Sequence, residues 1–394
     1  MKRVLTIAAL FFLLGSCLKE PDYNSYKVDL MVDFGDKFPQ EQKAGAKVTL
    51  FNQSKAYTIE TYTDQYGKVQ LSLVEPGFYS VTVSYSSVQE GIVSYLNGLK
   101  TIKVYGQVND TIKVFKGRLA PFVIKEFYFS GCSTPAGKAY SADQYIEIVN
   151  NTPEIQFADG ISVLEHESYG TGTNFWANIK DTIVVKMIWT IPGNGSQVPV
   201  LPGKSILLAR NGMNHRDDPN GNPLSPVNLG SANFEFYVLK QPEADLDSPS
   251  VPNLIEDLFV FRGNDVAFHV GGGSAIAIAK IPGNTDRERK EYIKSNMVSK
   301  ASASGSNTTY FAKIANNYVL DAVEVVLDEA RSVYKRFPPE LDAGYTLVSS
   351  GSRSGKCVRR KVQGVINGRA IYQDTNNSTE DFFKDVDPRP KFYE

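Results

Sequence analysis

Histidine, cysteine and tryptophan are scarce in this sequence. Its 394 residues include three His, three Cys and two Trp. His166, His215 and His269 each lack a second histidine or a carboxylate in a recognised metalloenzyme motif, and no cysteine has a partner at the spacing of metal ligands. We therefore expect no metal centre, and no pattern in the chain indicates a cofactor.

An excess of charge of either sign is also missing. The chain has 42 Lys and Arg against 43 Asp and Glu, with no long run of one sign. Nucleic acids and anionic membrane surfaces are bound by basic patches that replace counterions or meet lipid headgroups. The sequence therefore predicts no nucleic-acid partner and no charge-driven membrane binding.

The hydrophobic run at the N-terminus is too short for a transmembrane helix. It extends over Val4–Leu14, whereas an α-helix needs roughly 20 apolar residues to cross a bilayer. Lys2 and Arg3 precede the run, and the sequence LLGSC ends it at Cys17. A positive start, a short apolar stretch and small residues before a cysteine are typical of a lipoprotein signal peptide, which we assign to residues 1–16.

Cys17 is the predicted site of lipid attachment, since a thiol at this position is alkylated by diacylglycerol before the signal peptide is cleaved. Two or three acyl chains anchor a protein stably, because each buried CH₂ contributes roughly 0.8 kcal/mol. Residues 17–25 then form a tether, in which Lys19, Glu20 and Asp22 resemble the export signal of Bacteroidetes lipoproteins. We expect the protein on the outer face of the outer membrane; a periplasm-facing location is the alternative.

Acylation of Cys17 leaves two cysteines, Cys132 and Cys357, in a compartment that permits disulfides. A bridge between them would close a long loop and stabilise the fold. Two separate buried thiols also fit the sequence, because sequence alone does not show that the two Cα atoms approach within about 7 Å. Both alternatives stay open.

Aromatic and β-branched residues are abundant, with 21 Tyr and 22 Phe, and this composition favours strands. Between 26 and 118, apolar and polar residues alternate in short segments at 47–52, 56–63, 68–73 and 78–85, with turns at 64–67 and 75–77. The order of the apolar and turn residues in this region resembles that of transthyretin-like (carboxypeptidase regulatory-like) modules. The residues that carry the resemblance are Ala46, Val48, Leu50, Thr63, Asp64, Gly67, Val69, Pro76, Gly77, Tyr79, Val81 and Val83. The resemblance implies a β-sandwich that acts as a spacer or binding adaptor.

Residues 119–394 form a second predicted domain after a junction near Pro121. Its characteristic segments are FVIKEFY at 122–128, YIEIVNN at 145–151, LPGKSILLARNG at 201–212, NNYVLDAVEV at 316–325 and DTNNSTEDF at 374–382. Their order resembles the lamin-tail domain, an immunoglobulin-like β-sandwich. The resemblance implies an all-β protein of two sandwich domains, and a structural role for the Asp- and Asn-rich motif at 374–382.

The second domain is longer than the lamin-tail pattern requires, which predicts insertions. Residues 212–256, rich in Pro, Asn, Asp and Gly, are predicted to be loop. In 284–308, Thr285 caps a short surface helix, and the SKASASGSN segment after it has the composition of a flexible linker. For 322–337 we predict a strand to about Val325 and then a helical turn.

Two loops contain residue types that are common in binding sites. Asp217, Asp218, Asn220 and Asn222 are weak candidates for a cation site, but the pattern is not that of an EF-hand, and a solvated turn explains the same residues. The glycines in 269–283 lack the Lys-Ser/Thr of a phosphate-binding loop, so we predict a bulged or closely packed strand there.

The lipobox, the two sandwich patterns and the C-terminal motifs together resemble a family of uncharacterised Bacteroidetes lipoproteins. The resemblance implies a location and a fold but no chemistry. Our leading hypothesis is a non-enzymatic surface lipoprotein whose loops bind a ligand or a partner, by analogy an outer-membrane TonB-dependent uptake receptor. One alternative is a hydrolase or carbohydrate-active enzyme with its site in the insertions. Another is a structural envelope or adhesion protein.

Overall fold

A computed structural model describes residues 24–35, 43–89, 92–117, 119–240, 246–260, 266–302 and 304–392. The predicted signal peptide 1–16, Cys17 and most of the tether 17–25 lie outside the described residues. Within the described ranges, no helix combines the length and the apolar character needed to cross a bilayer.

The N-terminal part of the chain folds into two facing sheets, which we call the N-terminal sandwich. Its strands are β1 Tyr26–Asp33, β2 Lys47–Asn52, β3 Tyr57–Tyr62, β4 Lys68–Val74, β5 Gly77–Gln89, β6 Ile92–Val104, β7 Val108–Lys113 and β8 Phe115–Lys116. One sheet has the order β4-β1-β7 and the other the order β3-β2-β5-β6-β8. Alternate side chains such as Val48, Leu50, Val81 and Val83 are fully buried between the sheets, as the period-2 pattern predicts.

The predicted turn at 64–67 is present and depends on two residues. The Asp64 carboxylate accepts hydrogen bonds from the backbone N–H groups of Tyr66 and Lys68, both at 2.8 Å. Gly67 has a φ of +78°, and a Cβ there would lie 3.1 Å from the carbonyl oxygen of Val32. Glycine is therefore required for both the backbone conformation and the close approach.

The C-terminal part forms a larger sandwich around a separate hydrophobic core, which begins at Phe122. Its strands are β9 Phe122–Tyr128, β10 Cys132–Ser133, β11 Ala139–Tyr140, β12 Tyr145–Asn150, β13 Gln156–Phe157, β14 Ile161–His166, β15 Thr182–Thr190, β16 Pro199–Val200, β17 Ser205–Ala209, β18 Phe234–Glu235, β19 Ile255–Phe259, β20 Ala275–Lys280, β21 Met297–Ala301, β22 Thr308–Ala315, β23 Val319–Glu324, β24 Cys357–Arg360, β25 Val362–Ile366, β26 Arg369–Tyr372 and β27 Phe382–Val386. The helices are α1 Asp286–Ser295 and α2 Ser378–Asp381, with 3-10 helices at Asn316–Tyr318 and Glu329–Tyr334.

Two sheets enclose this second core, in the orders β18-β17-β12-β9-β24-β27 and β21-β22-β15-β14-β20-β23, with β19 beside β15. Phe127 from one sheet and Trp189 from the other are fully buried in it. Strands β9, β12 and β14 are buried along their whole length, so that charged residues such as Glu126 and Glu147 are buried together with the apolar ones. The all-β prediction is confirmed.

The predicted insertions have mixed outcomes. Residues 212–256 are mostly loop, although β18 lies within them and Leu229, Phe236 and Val251 are buried against the sandwich. Helix α1 begins after Thr285 with a complete capping box, as predicted. The linker prediction for SKASASGSN was wrong for its first three residues, 299–301, because they belong to β21 and pair with β22. A neighbouring strand supplies the hydrogen bonds that local composition does not reveal.

The segment 322–337 behaves as predicted. Strand β23 ends at Glu324, close to the predicted end of the strand. A 3-10 helix follows at Glu329–Tyr334, and the side chain of Asp328 caps it by accepting a hydrogen bond from the backbone N–H of Arg331. The change from strand to helical turn therefore takes place within the predicted region.

A buried arginine organises the C-terminal end of the chain. The Arg360 guanidinium lies 2.5 Å from Asp321, 3.4 Å from Asp381 and 3.6 Å from Asp374, and its Nε donates to the carbonyl oxygen of Ile124 at 2.7 Å. Three carboxyl groups thus surround one cation. Burial raises the pKa of Asp374 to about 8, the charge of Asp321 acts in the same direction, and Arg360 opposes them.

The DTNNSTEDF motif at 374–382 joins the two sandwiches. Asp381 accepts hydrogen bonds from the backbone N–H and the hydroxyl of Thr375, at 3.0 and 2.7 Å, so the predicted structural role is confirmed. Asn377 donates to the Ser84 hydroxyl at 2.9 Å. Asn97, also from the N-terminal sandwich, donates to the Thr375 carbonyl at 2.5 Å.

Replacing Arg360 by Met should lower the free energy of unfolding of the C-terminal sandwich by about 3 kcal/mol or more, because buried carboxylates lose their counter-charge. Trp176 and Trp189 both lie in this sandwich, so urea unfolding followed by tryptophan fluorescence reports on it. Arg287→Met is the control, since the Arg287 side chain is 84% exposed. A loss below about 0.5 kcal/mol, no larger than that expected of a surface substitution, would contradict this role of Arg360.

Asp374→Asn should weaken the pH dependence of stability. The folded protein keeps the Asp374 proton up to about pH 8, whereas an unfolded aspartate loses it near pH 3.9. The contribution of this group to stability is therefore full below about pH 4 and is lost as the pH rises towards 8. The amide variant lacks this loss, so its unfolding free energy relative to wild type should rise with pH, by at most about 1.4 kcal/mol per unit.

The control for this measurement is Glu380→Gln, in the same motif, where the Glu380 side chain is 41% exposed. Urea unfolding at a series of pH values between about 5 and 8 should give this variant the wild-type profile. An Asp374→Asn profile parallel to wild type would show that Asp374 does not hold the proton.

Candidate functional site

Two of the three histidines, His166 and His215, occupy buried structural positions. His166 is buried, and its Nδ1 accepts a hydrogen bond from the backbone N–H of Ser168 at 3.0 Å. His215 Nδ1 bonds the hydroxyl of Tyr140 at 2.7 Å. Burial lowers the pKa of His166 to about 3 and that of His215 to about 4, so both are neutral near pH 7. His269 lies in the loop before β20.

The four cation-site candidates are not brought together around one centre. The Asn222 amide is buried and donates to Cys132 Sγ at 3.1 Å. Asp217 accepts a hydrogen bond from a neighbouring asparagine, and Asp218 accepts from the backbone N–H of Asn220 at 2.8 Å. These are the bonds of a turn. Across the described ranges, no group of three or more His, Cys, Asp or Glu side chains is placed to hold a metal ion.

Cys132 and Cys357 are both free, buried thiols. Cys132 Sγ donates to Asp143 at 3.2 Å, and burial raises its pKa to about 12. Cys357 packs in an apolar cluster with Tyr128 and Tyr145, where burial also raises its pKa. The structure therefore favours the second of the two alternatives, two separate thiols.

The glycine-rich segment before β20 packs closely, as predicted. Gly272 has a φ of +89°, and a Cβ there would lie 2.7 Å from the carbonyl oxygen of Val326. The following residues, Ala275–Lys280, form a central strand between β14 and β23. The glycines thus bring the chain against its neighbour before the strand begins.

A cleft of about 620 Å³ opens on the C-terminal sandwich, between the loop after β14 and strands β15, β21 and β22. We call it the aromatic cleft. Its walls are formed by Glu167, Ser168, Tyr169, Thr171, Gly172, Thr173, Lys186, Val260, Lys300, Thr309 and Phe311. Its volume is that of a typical small-molecule site.

Exposed aromatic rings stand at this cleft. Tyr169 lines the cleft and is 43% exposed; Phe175 contacts Lys300, which lines the cleft, and is 58% exposed. Each ring is in contact with a lysine: Lys186 Nζ lies 4.0 Å from the centre of the Tyr169 ring, and Lys300 Nζ lies 4.8 Å from that of Phe175. The cation–π contacts hold the rings in place while leaving part of each ring open to solvent.

The charged groups of the cleft are paired with one another. Lys300 contacts Glu167 at 2.9 Å, and Lys186 contacts Glu165 at 3.1 Å. Burial opposes ionisation of Glu167, but hydrogen bonds from Lys300, Trp176 and a neighbouring hydroxyl together hold its pKa below the usual value. The cleft therefore presents fixed donors and acceptors with little net charge.

A buried ion pair supports the loop that carries these rings. Arg336 and Glu324 are both fully buried, with Nε and Oε1 2.7 Å apart. Arg336 Nη1 donates to the carbonyl oxygen of Ser168 at 3.1 Å, and the backbone N–H of Ser168 donates to His166 Nδ1 at 3.0 Å. Both backbone groups of Ser168 are thus fixed, so Glu167 and Tyr169 on either side of it are fixed as well.

The sequence predictions did not identify this cleft. A signal was available in SYGTGTNFW at 168–176, where three aromatic residues stand among Gly, Thr and Asn. Aromatic residues in a segment of turn composition have no strand face to bury them, which favours exposure at a binding surface. Lys186 and Lys300 carried no comparable signal, because only the fold brings them to the same site.

The chain is similar to a family of proteins of unknown function, DUF4876, whose model matches residues 201–389. The crystal structure of a DUF4876 family protein from Bacteroides thetaiotaomicron is 28% identical, with a TM-score of 0.59 over 92% of this chain and 96% of that chain. The predicted resemblance to a Bacteroidetes family is confirmed at this level. The transthyretin-like and lamin-tail-like assignments stay predictions.

Two other solved structures match more distantly. A streptococcal ancillary pilin is 13% identical, with a TM-score of 0.18 over 47% of this chain and 53% of that chain. A candidate adhesin from Bacteroides ovatus is 12% identical, with a TM-score of 0.19 over 52% of this chain and 88% of that chain. TM-scores this low do not indicate a shared fold, and no function is inferred from them. No curated protein matches the chain.

The Cys17→Ser protein, purified without reductant, should contain two thiols that react with a chromogenic disulfide reagent only after unfolding. Cys132 and Cys357 are buried and protonated, and the thiolate is the reactive form. A Ser54→Cys substitution is the control, because Ser54 is exposed and the new thiol should react in the folded protein. If neither Cys132 nor Cys357 reacts after unfolding, the two cysteines are joined by a disulfide.

Proposed function

We propose that this protein is a lipid-anchored, surface-exposed binding protein without enzymatic activity, which holds its ligand in the aromatic cleft. The anchor is the predicted lipid at Cys17. The proposal rests on two similar groups of side chains. In each, an exposed aromatic ring contacts a lysine that is also ion-paired with a glutamate: Tyr169 with Lys186 and Glu165, and Phe175 with Lys300 and Glu167. Rigid aromatic surface together with a few fixed polar groups is the usual composition of a ligand site.

The chemistry of the cleft favours an uncharged, hydroxylated ligand such as an oligosaccharide. An anion or a cation would have to break the Lys186–Glu165 and Lys300–Glu167 pairs to find a counter-charge, which leaves a buried charge uncompensated. Hydroxyl groups can instead bond to both members of a pair without separating them. The open part of each ring can pack against the C–H groups of a sugar.

The same pairing argues against the alternative of a glycoside hydrolase at this site. Such an enzyme needs a carboxylic acid whose pKa is raised, so that it can donate a proton. In the cleft, hydrogen bonds lower the pKa of Glu167, and Glu165 is bonded to Lys186 and to the hydroxyl of Ser274 at 2.7 Å. Glu167, the carboxylate that lines the cleft, is therefore suited to binding rather than to proton donation.

Tyr169→Ala combined with Phe175→Ala should weaken the binding of a neutral oligosaccharide by about tenfold or more, since each ring contributes on the order of 1 kcal/mol of contact. Calorimetric titration with neutral hexasaccharides of glucose, mannose, xylose and N-acetylglucosamine measures this. Tyr310→Ala is the matched control: Tyr310 is 58% exposed on β22, but it points away from the cleft that Thr309 and Phe311 line. No binding of any of these sugars, or an equal effect of Tyr310→Ala, would contradict the proposal.

We also propose that the partner at the membrane is an outer-membrane TonB-dependent uptake receptor. Protease treatment of intact cells should remove the wild-type protein, and affinity capture should recover such a receptor with it. The Cys17→Ala form should recover less, because it is not held at the membrane. A protein that resists the protease and captures no receptor would favour a periplasm-facing structural role.

A further inference from the structure

The N-terminal sandwich has exposed apolar side chains at one end. Leu73 is 80% exposed, Tyr105 61% and Phe78 37%. The strand register places them at the same end, since Val74 pairs with Tyr26 at the start of β1, and Phe78 pairs with Lys103 near the end of β6. We call Leu73, Phe78 and Tyr105 the apolar tip.

The apolar tip lies where the chain enters the fold. Strand β1 begins at Tyr26, so eight residues separate the sandwich from Cys17. A chain of that length reaches at most about 30 Å. Ser84 and Asn97, which contact the C-terminal sandwich, pair with each other six residues from Phe78 and Lys103 along β5 and β6. Two further contacts lie in the same part of the sandwich: Lys47, which pairs with Ser84, approaches Glu380 at 3.8 Å, and the Tyr95 hydroxyl accepts a hydrogen bond from Gln363 at 3.1 Å. The tip therefore faces away from the second sandwich and towards the end of the tether.

The chemistry of the tip is that of a membrane–water interface. The rings of Phe78 and Tyr105 meet edge to face, with their centres 5.8 Å apart, and Lys103 Nζ lies 5.4 Å from the centre of the Phe78 ring. Aromatic rings and lysine stems pack against acyl chains while their polar ends stay among the headgroups. The nearby Lys27 is paired with an aspartate, so apolar contact and not net charge is the driving force.

We infer that the apolar tip docks into the headgroup region of the membrane that holds the Cys17 lipid. Acyl chains fix only the end of the tether, and a second contact made by the folded domain fixes the orientation of that domain. Docking through Leu73, Phe78 and Tyr105 turns the C-terminal sandwich and its aromatic cleft away from the bilayer. The inference rests on the proposed lipid anchor, but not on the ligand of the cleft.

Fluorescence quenching by brominated lipids tests the inference with the full acylated protein. The vesicles contain phosphatidylethanolamine and phosphatidylcholine brominated on its acyl chains. Leu73→Trp should lose about half or more of its added emission, because interfacial side chains lie about 5–10 Å deep at the acyl boundary. Tyr66→Trp is the control: Tyr66 is 53% exposed in the turn at the opposite end of the sandwich, and its emission should be unchanged.

A second variant separates docking from mere closeness to the anchor. Phe78→Asp and Tyr105→Asp, added to Leu73→Trp, should abolish the quenching while the protein stays on the vesicles. Equal quenching at positions 73 and 66, or quenching that survives the two aspartates, would overturn the inference and leave the lipid anchor intact. Loss of the acylated wild-type protein from the vesicles would overturn the anchor proposal itself, and the inference with it.

Discussion

A single buried guanidinium holds together parts of the chain that are far apart in sequence. Arg360 contacts three aspartates, one from β23 and two from the motif at 374–382, and it donates to a carbonyl group of β9. A buried charge must be compensated where it lies, so these segments have little freedom to move apart. The same motif then bonds the N-terminal sandwich through Ser84 and Asn97. The position of one sandwich against the other thus depends on the surroundings of Arg360.

A buried ion pair, Arg336 with Glu324, fixes the loop at the aromatic cleft in a similar way. Arg336 and Glu324 tie β23 and the 3-10 helix after it to the backbone of Ser168. The loop that carries Tyr169 and Phe175 therefore starts from a fixed base, although its rings are exposed. Rigid support beneath an exposed loop is the arrangement in which binding residues keep their geometry without closing the site. This is why the cleft suits recognition of a ligand.

The strands and turns could be predicted where one local signal decided them. Alternation in β2 and β5, the Asp64 and Gly67 turn, and the Thr285 capping box all act within a few residues. The linker prediction failed at residues 299–301 because the hydrogen bonds of β21 come from β22. The aromatic cleft was missed for the same reason: its lysines lie on β15 and β21, and nothing in their local sequence relates them.

The sequence by itself determined the all-β class, the turn positions and the cap of α1, since each depends on side chains close together along the chain. Only the tertiary structure decided which charges share a site, that Cys132 and Cys357 stay free, and where the exposed rings gather. Electrostatic compensation and burial act through space, at distances of a few ångströms, between residues that the sequence separates by tens or hundreds of positions.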